Sequence, residues 1–378
     1  MQRRDFTKLA FLAGGSIFLP SLAKKEPQFF SLKKQNSRWM LLTPKQKPFY
    51  SLGMNHISNA VLKHPENQHI WYEKYDNSQK KWLKAVGKNL KQWGFNTVGW
   101  AADVVTKKKD SHKHSRPFTY EEYQWLNTAY CHRLPFAEIH HYESDVKNPD
   151  FFSKGFEEWC DYVAREYCTQ FAKDEKLIGY FYADCPAWIH TRKEAAWKGP
   201  LFDPEMLNTE SGKRELFLLA SKYYKTCHDA IRRYDKNHLI LGDRYEANRP
   251  WSKVVFDAAK PYVDVISFQF FGTGAEIEKE LNNFANLTDM PVLLADFGVP
   301  DYSTWEQGYI SNDWEKYKDV LQHLTKIPAC IGAHFCGAYL RNRQRKYGIL
   351  NEKDQANPQT IAFLQEANRG FLEDVLGN

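Results

Sequence analysis

Hydrophobic and polar positions divide this chain into eight short apolar runs separated by amphipathic stretches of helical length. The runs occupy residues 49–57, 95–103, 134–143, 177–184, 239–246, 264–271, 291–299 and 330–339. Most begin with unbroken apolar residues and turn polar or aromatic only at their carboxyl ends. That pattern suits strands covered on both faces by crossover helices. Segments such as 156–173 and 214–234 supply the helical spacing between them. Strands alternating with helices imply parallel pairing through βαβ units, and a count of eight favours closure into a single (β/α)8 TIM barrel, an α/β fold. Neither GxGxxG nor GxxxxGK(S/T) follows the first run, so a nucleotide-binding sheet would lack its phosphate loop.

A length of 378 residues with 43% hydrophobic content fits one barrel domain, residues 24–378, with insertions. The polar stretch 107–117 predicts a solvated loop after the second strand. The first 23 residues read as an export leader. Arg3-Arg4-Asp5-Phe6-Thr7-Lys8 fits the twin-arginine pattern RRxFxK, residues 9–19 form a weakly apolar core with Gly14-Gly15, and Ser21-Leu22-Ala23 offers a small-residue cleavage site. A core this short does not span a bilayer, and no other segment reaches about 18 uninterrupted apolar residues. The expectation is a periplasmic or secreted protein with no membrane contact once the leader is removed. The formal charge of +6 falls to +4 when Arg3, Arg4, Lys8 and Asp5 leave, too mild to suggest a nucleic-acid partner. Local basic groups, Arg244 and Arg249 after the fifth run and Arg341, Arg343, Arg345 and Lys346 after the eighth, suit an anionic polymer, because guanidinium geometry matches sulfate or carboxylate.

The seven cysteines, Cys131, Cys160, Cys168, Cys185, Cys227, Cys330 and Cys336, are scattered and contain no CxxC, which indicates neither a zinc site nor a disulfide framework. Cys185 follows a strand-end aspartate, but no histidine in the same motif supports a catalytic thiol. A metal-dependent amidohydrolase needs HxH on its first strand, and only Asn55-His56 stands there, so neither metal nor cofactor is expected. The His140-His141 pair is a poor chelate because neighbouring strand residues point to opposite faces. One of the two is expected to hydrogen-bond substrate.

Barrel chemistry belongs at the carboxyl ends of the strands, and three runs end there in a carboxylate: Asp184, Glu246 and Asp296. Glycoside hydrolysis needs two carboxyl groups, one to protonate the leaving oxygen and one to attack the anomeric carbon or activate water. Asp184 closes GYFYADCPAW between Tyr182 and Trp188, an apolar setting that favours a protonated acid. Either Glu246 or Asp296 can supply the second group. Asp243 is expected to pair with Arg244 or hold a loop; Glu138 and Glu143 are weaker candidates. Aromatic residues form 15% of the chain, and Trp100, Trp188, Tyr245 and Trp305 fall at or beyond strand ends, where sugar rings stack. Asn55, His56, His140, His141, Arg244 and Gln269 are the polar candidates for sugar hydroxyls.

Several stretches resemble agarase-like clan A glycoside hydrolases. Arg38-Trp39-Met40-Leu41-Leu42-Thr43-Pro44, continuing through Pro48-Phe49-Tyr50-Ser51-Leu52-Gly53, is similar to their RWxLVxPxGxPFxxxG segment. GYFYADCPAW resembles their fourth-strand YFxxNExxW, PVLLADFG their seventh-strand nucleophile segment, and Tyr347-Gly348-Ile349-Leu350-Asn351 their YGLVN. The resemblance spans most of the chain after the leader and implies a retaining hydrolase of a polysaccharide or oligosaccharide, sulfated or otherwise algal. Neither catalytic Glu of that pattern is kept: Asp184-Cys185 stands for Asn-Glu and Asp296 for the nucleophilic Glu. The resemblance therefore implies Asp184 as acid/base from the neighbouring slot. Glu246 ranks slightly above Asp296 as nucleophile for its longer arm, an Asp–Glu pairing similar to that of marine endo-fucanases. The alternative is a catalytically inactive barrel that only binds saccharide.

Overall fold

In the computed structural model of the chain the described residues are 28–108, 111–137, 150–186, 188–189, 205–248 and 251–377. Eight parallel strands close into a barrel: Ser51–Met54, Thr97–Val98, Ala129–Arg133, Leu177–Asp184, Leu239–Glu246, Ile266–Gln269, Val292–Phe297 and Cys330–Phe335. The eighth strand closes on the first through the pairs from Gly332↔Ser51 to Phe335↔Met54. Helices such as Gln79–Gln92, Lys154–Phe171, Glu210–Tyr234, Gly274–Thr288 and Trp314–Leu324 return the chain between strands. The chain is a (β/α)8 TIM barrel, as its pattern predicts. Helix starts follow local chemistry: Thr119 with Glu122 and Thr273 with Glu276 form capping boxes, and Asn357 caps a helix that begins at Pro358. No helix among the described residues is long and apolar enough to cross a membrane.

The fourth and fifth strands coincide with the apolar runs that predict them. The third does not: it lies at Ala129–Arg133, upstream of residues 134–143. Its polar residues are buried by ring contacts. His132 sits 4.5 Å from the Phe171 ring and 5.1 Å from Tyr167, while Arg133 lies 5.0 Å from the Trp100 ring. Such a strand has no apolar signature to read. The stretch beginning at Lys107 also differs from expectation, since Val104–Lys108 and Ser111–His114 pair as an antiparallel hairpin.

Two apolar clusters hold the architecture. The larger fills the layer between strands and helices. The smaller, including Ile178, Phe181, Leu241, Leu293 and Ile331, fills the barrel and is closed at its amino end by Phe30 and Leu41. Leu41 belongs to an antiparallel sheet of Ser31–Gln35, Arg38–Leu42 and Pro48–Phe49.

A bulge decides what faces the mouth. Along the fifth strand Leu239 and Leu241 point into the barrel and Ile240 points to the helices. Strict alternation would send Asp243 inward next. Gly242, at φ +67°, interrupts the register on both sides instead. Asp243 therefore faces the helices and Arg244 the interior, with Glu246 on the same face as Arg244 one layer nearer the mouth. In the seventh strand a register shift between Leu294 and Phe297 accompanies the inward turn of Asp296.

Candidate active site

Arg244 organises the carboxyl-terminal mouth. Its side chain is fully buried, and its Nη2 donates to Asp296 Oδ2 at 2.8 Å and lies 3.2 Å from Asp184 Oδ1. Sharing one nitrogen places these two oxygens within about 6 Å of each other. The guanidinium rests 4.4 Å from the Trp100 ring, which supplies a cation–π face in the barrel interior. Arg244 Nε and Nη1 are buried without a hydrogen-bond partner among the described residues. Gln269, from the sixth strand, donates to Asp184 and to Cys185 Sγ.

Asn55 fixes Asp296 from the other side. Its Nδ2 donates to Asp296 Oδ1 at 2.7 Å and to the Ala295 carbonyl at 2.8 Å, and its Oδ1 accepts from the Trp100 backbone at 2.7 Å. Burial opposes charge on Asp296, but Arg244 above all, with Arg345, outweighs it and holds the carboxyl below its ordinary range. Asp296 is thus ionised. His56 stands in a left-handed backbone conformation, φ +56°, with Nδ1 2.8 Å from the Ala102 carbonyl and Nε2 3.8 Å from Asp296 Oδ2. A carbonyl only accepts, so the ring proton is on Nδ1. Burial, reinforced by Arg345 and partly offset by Asp296, pushes the imidazole down and keeps it neutral.

Cys336 follows the eighth strand and accepts from Arg345 Nη2 at 2.8 Å; burial drives its thiol up to about 12 despite that cation. The donor atoms of His56, Asp296 and Cys336 all lie within 4.8 Å of one another, a spacing a metal could use. The charges argue otherwise: two guanidiniums already sit on Asp296 and Cys336, and the thiol is protonated. Cys185 is likewise unsuited to nucleophilic attack. Burial first, then the neighbouring Asp184 and Glu246, keeps its thiol protonated, in a left-handed conformation at φ +46°.

The predicted residues divide into three groups. Asp184, Asp296, Asn55, His56, Trp100, Arg244 and Gln269 converge on one buried network. Asp184 has a permanent cation as neighbour, not the purely apolar collar its strand suggests. Trp188 and Tyr245 turn away from the mouth: Trp188 packs against Phe151, Tyr223 and Tyr224, and Tyr245 against Tyr224 and Phe256. Strand alternation after the bulge carries Tyr245 outward, so neither ring offers a face to a sugar there. Among the described residues Asp243 pairs with no arginine; it accepts from Tyr223, Tyr224 and the Ala183 backbone in the helix layer. Trp305 is 51% exposed on a short 3-10 helix, Tyr302–Gln307, at the rim. His140, His141, Glu138, Glu143 and Arg249 lie outside the described residues, as does the leader. Sequence reasoning missed Asp103, Asn342 and the inward role of Arg345. Asn342 donates to Asp103 Oδ2 at 2.8 Å, and both Asp103 and Arg345 act electrostatically on His56. Loop residues carry no periodic signal; proximity to the Tyr347-to-Asn351 match was the one available hint for Arg345.

Fold and site together define a (β/α)8 barrel with a buried carboxylate pair at its carboxyl-terminal mouth. Solved structures share this fold. An agarase, AgWH50C, superposes with a TM-score of 0.71 at 16% identity, covering 93% of this chain and 64% of its own. An exo-beta-agarase superposes with a TM-score of 0.71 at 16% identity, covering 94% of this chain and 66% of its own. The beta-glucuronidase of Bacteroides uniformis follows with a TM-score of 0.56 at 12% identity, covering 90% of this chain and 37% of its own. The chain thus spans just under two thirds of the length of the two agarases. In sequence, Beta-agarase B of Vibrio sp. (strain JT0107) is 26% identical over 127 residues, 32% of this chain and 13% of that protein. No family model matches the chain.

Proposed function

We propose that this protein is a retaining glycoside hydrolase that cleaves O-glycosidic bonds in a polysaccharide or oligosaccharide, with Asp184 and Asp296 as its carboxyl pair. One observation carries the reading: carboxylates from the fourth and seventh strands meet on one buried guanidinium, within about 6 Å, below the 6.5–9.5 Å that inverting enzymes need for water. Names of the structural neighbours and of the Vibrio relative support the agarase side of the expectation, and the finer endo-fucanase relation has no such support. In the proposed cycle Asp184 gives its proton to the bridging oxygen as Asp296 attacks the anomeric carbon and the glycosidic bond breaks. Water, losing a proton to Asp184, then releases the sugar from Asp296 and restores both groups. Asn55 and Arg244 hold Asp296 ionised and aligned. Glu246, half-buried one layer above Arg244, is the alternative partner for Asp184. Export by the twin-arginine leader, residues 1–23, belongs to the same proposal.

The saccharide-binding reading without catalysis is favoured by two features. Arg244 ties both carboxylates in ion pairs, and Cys185 occupies the slot of the resembled acid/base Glu. Reducing-end release by wild type, Asp184→Asn, Asp296→Asn and Glu246→Gln, measured beside oligosaccharide binding, decides between them. Hydrolysis should fall at least about 10³-fold in Asp184→Asn and Asp296→Asn with binding retained. Wild type that binds but releases nothing would establish the binding protein, and loss confined to Glu246→Gln would move the second role to Glu246.

A further inference from the structure

The loop after the eighth strand has two faces, and only one serves the carboxylate pair. Inward, Arg345 reaches Cys336 and Asn342 reaches Asp103. Outward, the same loop walls a surface cleft of about 500 Å³, lined among others by Arg341, Arg343, Lys346 and Lys353 against Glu66 and Glu352. Four cations thus face two carboxylates. Arg343 is paired with Glu66 and Arg341 with Glu352, the latter at 3.4 Å, and no ion pair holds Lys346 or Lys353 among the described residues. The surplus charge in the lining is +2.

This wall is built. Asn342 Oδ1 accepts the backbone N–H groups of Gln344 and Arg345 at 2.9 and 2.8 Å, and its carbonyl accepts that of Lys346 at 2.9 Å. The Lys346 carbonyl in turn accepts from Ile310 at 2.9 Å, tying the loop to the segment that bears Trp305. Lys346 Nζ lies 4.2 Å from the Trp305 ring centroid, and the Arg341 guanidinium 4.2 Å from that of Tyr309. Arg341 Nε is buried with no hydrogen-bond partner. The Lys346 ammonium thus lies over the half-exposed Trp305 ring, which holds it at the edge of the cleft without neutralising it. An anionic group on a sugar in the cleft meets that ammonium and the neighbouring guanidiniums.

We propose that this cleft is a subsite for a sugar residue carrying an anionic substituent, seated with its charge toward Lys346, Lys353 and the adjoining arginines. The inference rests on the glycoside hydrolase reading and names the chemistry of its substrate: a charged oxygen cluster, whether sulfate ester or uronate carboxylate. Selectivity comes from the unpaired cations, and it weakens with ionic strength as exposed charges are screened.

The test uses the full chain and calorimetric titration with three probes of equal length: a sulfated galactan oligosaccharide, the same oligosaccharide after chemical desulfation, and a uronate-containing oligosaccharide. Wild type should bind at least one charged probe about tenfold or more tightly than the desulfated one, with the advantage shrinking in higher salt; which charged probe wins separates sulfate from carboxylate. The double variant Lys346→Ala/Lys353→Ala should lose that advantage and keep its affinity for the neutral probe, which also shows that it is folded. Equal binding of charged and neutral probes by wild type, or equal weakening of both in the variant, overturns the subsite. Hydrolysis of the neutral probe without charge preference would sink the subsite alone. Charge-dependent binding without hydrolysis of any probe would sink the hydrolase reading alone.

Discussion

Arg244→Met removes one charge and leaves the most informative defect. The side chain keeps a similar reach and apolar stem, but Asp184 and Asp296, once both are ionised, are left facing each other within about 6 Å in a buried site. At an effective dielectric of about 20, two unit charges at that distance repel by about 3 kcal/mol. Breaking a buried pair by deleting one partner costs about 3–5 kcal/mol in measured cases, which brackets the same figure. The protein can relieve the repulsion by binding one proton, so one carboxyl of the variant should titrate above its unfolded value. Its folded value then exceeds its unfolded value, and variant stability is full in acid and lost as pH rises through the folded value. In wild type the sign is opposite: Asp296 lies below its ordinary range, and its contribution is present above the unfolded value and lost on acidification through the folded one. The gap between the two proteins should therefore widen with pH, by about 3 kcal/mol from pH 4 to pH 7. Urea unfolding monitored by tryptophan fluorescence at pH 4, 5, 6 and 7 measures it. A gap below about 1 kcal/mol at pH 7, or one that does not change with pH, refutes the claim that Arg244 offsets the repulsion within this pair.

Two further outcomes test the scaffold behind the site. Gly242→Ala places a Cβ at a left-handed position, φ +67°, and 3.1 Å from Val263 Cγ1; stability should fall by about 1–3 kcal/mol, and under the proposed hydrolase function activity should fall with it because Arg244 depends on the bulge. Unchanged activity and stability would show that the bulge does not set Arg244. Asp243 is pushed up to about 6 by burial, against the pull of hydrogen bonds from Tyr224, Ala183 and Tyr223. Its folded value lies above its unfolded one, so wild type should lose about 3 kcal/mol of stability between pH 4 and pH 6 through this group, and Asp243→Asn should lack that slope. Parallel stability profiles for the two proteins would contradict the assignment.

The strands and the site differed in how much of them could be read from the sequence, for a physical reason. Buried parallel strands announce themselves as apolar runs, and Leu177–Asp184 and Leu239–Glu246 stand where the runs place them. Ala129–Arg133 escaped because its buried residues include an imidazole and a guanidinium held by aromatic rings, which no hydropathy pattern distinguishes from surface polarity. Strand-end carboxylates were visible for the same reason as the strands. Orientation was not: Asp243, Arg244 and Tyr245 are consecutive, and a single left-handed glycine determines which of them enters the barrel.

That glycine also explains why Arg244, expected as a substrate contact or a partner of Asp243, became the centre of the network. In an uninterrupted strand the inward position after Leu241 would be Asp243, a third carboxylate beside Asp184 and Asp296. Three like charges crowded at one barrel mouth would have to shed charge by binding protons. The bulge at Gly242 replaces that carboxylate with a guanidinium, and the displaced Asp243 takes its hydrogen bonds from Tyr223 and Tyr224 outside the barrel. One residue of slip thus converts a repulsive cluster into a compensated pair. The chemistry of this mouth is decided by backbone conformation as much as by the identity of its acids.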